Sequence, residues 1–230
     1  MHTNTNNRLG LKTLLAASFL FVSMPGMAAI DFYSTGVDDD GNLLAAGEID
    51  PHYSLMHAAE NTVYDTAYAT TDNPGTWLSA GSGYQWIKHT GVGNDDLPCR
   101  YCLPAVSPYA VPDYFYSTTF DLTGADLSSV YIEFQVATDN AANISINGMY
   151  IGYFAGFSAF ETIILNDPVW FVEGQNTLVF GVANTSTSPN PTGLLVKVVA
   201  ADIPEPLTLA LVGLGVAGIG FGRHQWNKAA

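Results

Sequence analysis

The sequence predicts an all-β fold, a two-sheet antiparallel β-sandwich, and three observations carry that reading. Apolar residues alternate with polar ones over several short runs, the period-2 pattern of half-buried strands. Gly, Asn and Pro punctuate those runs as turns do. Long amphipathic helices are absent, and Ser54 to Asn61 is the one helix-like stretch. Many short strands with such punctuation pack as two layers.

The elements follow in order. Pieces around Thr62 to Thr70 and Tyr84 to Lys88 read as early strands, and the chain alternates clearly from Tyr114 onward. Val130, Ile132, Phe134 and Val136 share one face, with Tyr131, Glu133 and Gln135 on the other. Asp139-Asn140 then supplies turn chemistry before a strand over Asn143 to Ile146. Asn147-Gly148 is a strong type I′ hairpin signal into Met149-Tyr150-Ile151, because both central residues of that turn need positive φ. A Gly174-Gln175-Asn176 turn precedes a strand with Leu178, Phe180 and Val182 inward, and a last strand carries Leu194, Val196 and Val198. Lys197 on that strand reads as an edge charge that discourages strand-to-strand aggregation. His89 to Val111, rich in Gly and Pro, is the predicted irregular insert.

Both ends read as addresses and stay outside the fold argument. Arg8 and Lys12 precede the apolar run Leu14 to Val22, Pro25 breaks it, and Gly26-Met27-Ala28 offers small residues where a signal peptidase needs them. Residues 1–28 are therefore a predicted signal peptide, with cleavage after Ala28 and Ala29 as the alternative. At the other end, Pro204-Glu205-Pro206 precedes the uncharged run Leu207 to Gly222, followed by Arg223, Trp226 and Lys228. Its sixteen residues span about 24 Å as a helix, against about 30 Å of hydrocarbon. Glycines at 213, 215, 218, 220 and 222 suit a membrane helix better than a soluble one. The basic flank fits the cytoplasmic side.

This tail resembles the PEP-CTERM sorting signal of bacterial proteins processed by exosortase, carried by Pro204, Glu205, Pro206, the 207–222 segment and Arg223. Where that signal usually ends in an Arg cluster, Arg223 here is followed by His224, Gln225, Trp226 and Asn227 before Lys228. The resemblance implies a precursor exported by the secretory pathway and anchored in the inner membrane. Exosortase would then cut it near Pro-Glu-Pro and pass the body to the envelope, outer surface or matrix. Domain boundaries follow: 1–28 leader, 30–202 β-sandwich, 203–228 sorting signal.

Composition bounds the body's partners. The whole chain carries a net charge of −14. Outside the two signals only Lys88, Arg100 and Lys197 are basic, against twenty acidic residues, so the body stands at −17. Such a surface repels phosphate backbones and excludes nucleic acid as a partner. The two cysteines, Cys99 and Cys102, sit between Pro98 and Pro104, and in an exported protein read as a local disulfide pinning a loop. A redox pair would open a helix after a strand, and a metal site would need His89 and a further ligand.

The stretch from Thr119 to Ala200 is similar to the galactose-binding-like jelly roll of carbohydrate-binding modules. The resemblance rests on Phe120-Asp121-Leu122, Ala137-Thr138-Asp139-Asn140, Ile144 to Gly148, and Phe171 to Phe180. It implies the jelly roll as fold and extracellular polysaccharide as a candidate partner. Loop-flanked Trp77 and Trp86 are the preferred sugar-stacking residues, with Tyr109, Tyr114, Tyr116, Tyr153 and Trp170 behind them. Asp139, Asn140 and Asn147 are candidate hydrogen-bonding partners for sugar hydroxyls, although turn roles also explain them. Asp38 and Asp40 in Asp38-Asp39-Asp40-Gly41-Asn42 are candidate ligands of a structural calcium, or a solvated turn; the EF-hand register fails for want of a first ligand and a terminal Glu.

Catalysis finds little footing. Glu48, Asp50, Glu133, Glu161 and Glu173 are available, but glycoside hydrolysis needs two converging carboxylates. No G-x-S-x-G, H-E-x-x-H or phosphate-binding loop occurs, and His52 and His57 are five apart rather than four. The sequence therefore points to a non-enzymatic envelope or matrix protein that binds or is embedded in polysaccharide. A polysaccharide-processing enzyme and a purely structural surface protein are the rivals.

Overall fold

A computed structural model describes residues 27–57, 62–64, 66–71, 74–90, 112–184 and 191–204. Among the described residues ten strands form: β1 (Met27–Ala29), β2 (Ser54–His57), β3 (Thr62–Tyr64), β4 (Tyr68–Ala69), β5 (Ile87–Lys88), β6 (Tyr114–Asp121), β7 (Tyr131–Ile146), β8 (Met149–Leu165), β9 (Gln175–Ala183) and β10 (Gly193–Pro204). Every pairing is antiparallel. Among the described residues there is no α-helix, and no helix long and apolar enough to cross a membrane. The segment read as helix-like from Ser54 opens instead as β2, which pairs with both β3 and β6. Alternation of buried Leu55 and His57 with exposed Ser54 and Met56 outweighs local propensity there.

The two predicted layers exist but are not separate sheets. One hydrogen-bonded path runs β3-β2-β6-β9-β7-β10-β5-β4, with β8 on β7 and β1 on β10. The join is β7. Its first part pairs with β10 as far as Asp139, and its second pairs with β9 from Ala141. Asp139-Asn140, expected to be a turn, is thus the point inside one long strand where the chain leaves the first layer for the second. Two residues of β7 lie between the successive pairs Thr138↔Gly156 and Ala141↔Ala155 on β8, the extra-residue signature of a bulge. Thr192 Oγ1 donates to Asp139 O at 2.6 Å and holds the bend.

The core fills the space between the layers. Ile132, Phe134 and Val136 from the first part of β7 meet Ile144, Ile146, Leu178, Phe180 and Val182 from the other layer. Phe134 bridges them, edge-on to Phe180 at 6.0 Å and to Phe32 at 5.7 Å. Lys197 is not on an edge. Its strand is paired with β7 on one side, while Ile30 N–H, Thr35 N–H and Ser34 Oγ bond along the other.

The β7–β8 turn forms as its sequence predicts: Asn147 and Gly148 both adopt positive φ, 50° and 80°. A buried amide knot locks it to the opposite loop. Asn176, fully buried, donates to Val172 O and Gly174 O and accepts from Val172 N–H and Asn147 Nδ2; Asn147 Oδ1 in turn accepts from Thr177 N–H. Asn176→Ala strands several of these groups, so urea denaturation should show a loss of about 3 kcal/mol. Gly148→Ala, which only forces a side chain into the left-handed region, should cost about 1–2 kcal/mol.

Candidate functional site

The structure brings the four preferred carbohydrate candidates together, burying Trp77, Trp86 and Asp139 and leaving Asn140 half-buried. Trp77 Nε1 donates to Asp139 Oδ2 at 2.9 Å, and Asn140 Nδ2 donates to Asp139 Oδ1. The Trp77 and Trp86 rings lie 4.2 Å apart, and Trp86 Nε1 is bonded to Leu78 O. Trp77 is 7% exposed and Trp86 fully buried. The expected stacking platforms are corrected: these rings form a second small core with Ala137 and Leu195. The cause is apolar residues on the outward face of β7 and β10, which need a cover. Gly193 makes the approach possible, since a Cβ there would meet the Trp77 ring at 3.1 Å. Phe157 and Phe160 of β8 complete the cover, and Lys197 Nζ sits 5.5 Å from the Tyr84 ring centre.

The other candidates fall out as follows. Tyr114 and Tyr116 are core residues, and Trp170 packs partly against the core. Tyr109, Cys99, Cys102, Glu205, Pro206 and Arg223 lie outside the described residues. Asp38 closes its own turn, accepting from Asp40 N–H and from the backbone and side chain of Asn42. Those Asn42 bonds hold its carboxyl below the usual range. Asp40 is exposed, and no group of three His, Cys, Asp or Glu that could hold a metal ion occurs among the described residues.

The carboxylates weighed for catalysis have separate local roles. Glu48 accepts from Ala45 N–H, Glu173 from Gly124 N–H, and Glu133 from the Tyr131 hydroxyl. Glu133 lies opposite Ile164 and Ala200, and Glu161 opposite Val136. Asp50 is buried, accepting from Gly36 and His52 N–H groups. Burial pushes its carboxyl up, against those two bonds. At the strand ends near Ala183, buried His57 and His89 approach the Tyr114 ring at 4.9 and 5.1 Å, and Asp113 accepts from Asn184 N–H.

A different surface has the properties of a binding site. In the layer β2-β6-β9-β7-β8, residues flanking the buried ones face outward: Ser54 and Met56, Phe115, Ser117 and Thr119, Thr177 and Val179, then Asn143 and Ser145. Residues 54–57, 114–120, 141–160 and 175–183 contain no Asp, Glu, Lys or Arg. On a body at −17 this is a neutral window. Four inter-strand gaps of about 4.8 Å make it about 19 Å across.

Two tyrosines close its β8 side. Tyr150 lies opposite Ser145 and Tyr153 opposite Asn143, so both share the outward face. They are three apart because Ile151 is an extra residue in β8, packed instead against the core. Tyr150 is 56% exposed. The Tyr153 hydroxyl is sheltered from solvent with no hydrogen-bond partner among the described residues, and burial together with Tyr150 raises its pKa above 10.0. Sequence reading reached Tyr153 and missed Tyr150, because the bulge that aligns them leaves no mark in simple alternation.

No family model matches the chain, and no curated protein matches it. Among solved structures it is similar to a family 35 carbohydrate binding module from an environmental isolate, at 12% identity and a TM-score of 0.28, over 60% of this chain and 96% of that one. It is also similar to CBM35 from Cellvibrio japonicus Abf62, at 15% identity and a TM-score of 0.26, over 64% of this chain and 96% of that one. Likeness this distant carries no argument about ligand.

Because Trp77 holds the buried Asp139 carboxylate, Trp77→Phe should destabilise the body by about 2–3 kcal/mol in thermal or urea unfolding.

Proposed function

We propose that the body is a non-catalytic carbohydrate-binding domain of jelly-roll type whose ligand is a neutral extracellular polysaccharide lying across the β2-β6-β9-β7-β8 face. The neutral window on a strongly acidic body is the observation that carries this reading. Its chemistry suits sugars. Hydroxyl and amide side chains exchange hydrogen bonds with sugar hydroxyls, and a tyrosine ring accepts the C–H face of a pyranose. The sheltered Tyr153 hydroxyl has no partner among the described residues, and such groups call for an explanation.

The same proposal includes delivery. The 1–28 leader directs export, and exosortase acts on the Pro204-Glu205-Pro206 tail while the 207–222 run holds the precursor in the membrane.

Two measurements test the proposal. In glycan-array and calorimetric binding, Tyr150→Ala with Tyr153→Ala should weaken polysaccharide binding by about fivefold to a hundredfold, from about 1–3 kcal/mol of lost ring contact. Unchanged affinity removes the face as the site, and turnover of the polysaccharide would reassign the body as an enzyme. For delivery, truncation after Pro204 should leave a folded body that no longer reaches the cell surface in fractionation. A truncated body that fails to fold would count against the tail as a separate signal.

A further inference from the structure

β2 begins at Ser54, paired with Ser117, but its neighbour β6 continues to Asp121. A notch is left in the sheet beside Thr118–Asp121. Ile49 to Ser54 and Thr66 wall it, giving a cleft of about 310 Å³ that opens at the β2 margin of the neutral window. The scale is that of the smaller ligand pockets.

The cleft carries a graded set of polar groups. Ser54 Oγ and Ser117 Oγ are 2.7 Å apart, a hydroxyl pair with hydrogen-bonding capacity left over. Ser54 Oγ also reaches Ser117 O at 3.4 Å, so that carbonyl points toward the β2 side. Backbone direction alternates along a strand, so Thr119, two residues on, turns its N–H and C=O the same way. There β2 is missing, and the edge faces the notch. Opposite lie Ile49, half exposed, and Pro51, an apolar wall. The floor is fixed by the buried Asp50 carboxylate, which is bonded to Gly36 and His52 N–H groups.

We propose that this cleft is a subsite for a single neutral sugar ring, seated at one end of the polysaccharide track; the inference rests on the carbohydrate reading of the neutral face. Ring hydroxyls would take the Ser54–Ser117 pair and the open Thr119 backbone edge, while one C–H face packs on Ile49 and Pro51. An extended peptide could use the same strand edge. It would need an open lane along β6, which the 49–54 segment and Thr66 close off.

The test titrates full-length protein in detergent micelles with methyl glucoside, methyl galactoside and methyl mannoside, following backbone amides by ¹H–¹⁵N NMR. Saturable shifts at Thr119 and Thr66 with at least one glycoside are expected. Ser54→Ala with Ser117→Ala should weaken that binding about tenfold, from the loss of two hydrogen bonds. The paired Tyr150→Ala, Tyr153→Ala variant should keep glycoside binding while losing polymer. No shift with any glycoside, or full affinity in the serine variant, overturns the subsite. So does a shift at Thr119 with an extended hexapeptide alone. Polymer binding that survives without glycoside shifts sinks only the subsite; loss of both sinks the carbohydrate reading.

Discussion

The passage of β7 from one layer to the other is the constraint on which the remaining structure depends. A single strand of sixteen residues supplies core side chains to both layers, so the layers cannot slide independently. The change of layer requires a bend at Asp139-Asn140, and a bend inside a sheet exposes polar backbone that must find partners. Thr192 takes Asp139 O, and Trp77 takes the Asp139 carboxylate. The aromatic loop is therefore committed to architecture. A residue that stabilises a buried carboxylate at a strand bend is not free to present its face to a ligand.

That commitment makes the two outer faces unlike each other. Over β7 and β10 the outward Ala137 and Leu195 are roofed by Trp77, Trp86, Phe157 and Phe160. The opposite layer's outward side chains are mixed instead, with Phe115 and Val179 set among Ser117, Thr119, Thr177, Asn143 and Ser145, and none of them is fully buried. Its acidic residues have been displaced to the turns. Asp121 and Asp126 accept from Thr123 and Ser128, side chain and backbone, and those bonds lower both carboxyls. Acids that stabilise turns by accepting N–H and O–H groups leave the strands between them uncharged.

Much of this was legible in the sequence where a residue's role is local. The Asn147-Gly148 turn, the inward sets on β7 and β9, and the all-β class follow from periodicity and turn chemistry. Three features did not. Asp139-Asn140 has turn composition, but its role is decided by which strands flank it. Leu195 beside Leu194 breaks alternation, and that doublet was the available sign that β10 is buried on both faces. It would have warned that Trp77 and Trp86 were needed as cover. Tyr150 and Tyr153 share a face only because of the Ile151 bulge, a register event between strands that one strand's pattern does not record.

The electrostatics of the neutral face bear on the proposed choice of a neutral polymer. At physiological salt the Debye length is about 8 Å, so charges around the rim are screened over the middle of a face about 19 Å wide. An anionic polymer could tolerate the centre, but a long chain must also cross the rim. There it meets the acidic turns, with Asp121 at the end of β6 and Glu173 before β9. A neutral polymer crosses both regions without that penalty. Its binding draws on hydrogen bonds and ring contacts, which salt screens little. The −17 of the body repels like-charged neighbours, and in the proposal above the uncharged strands are where a sugar chain lies.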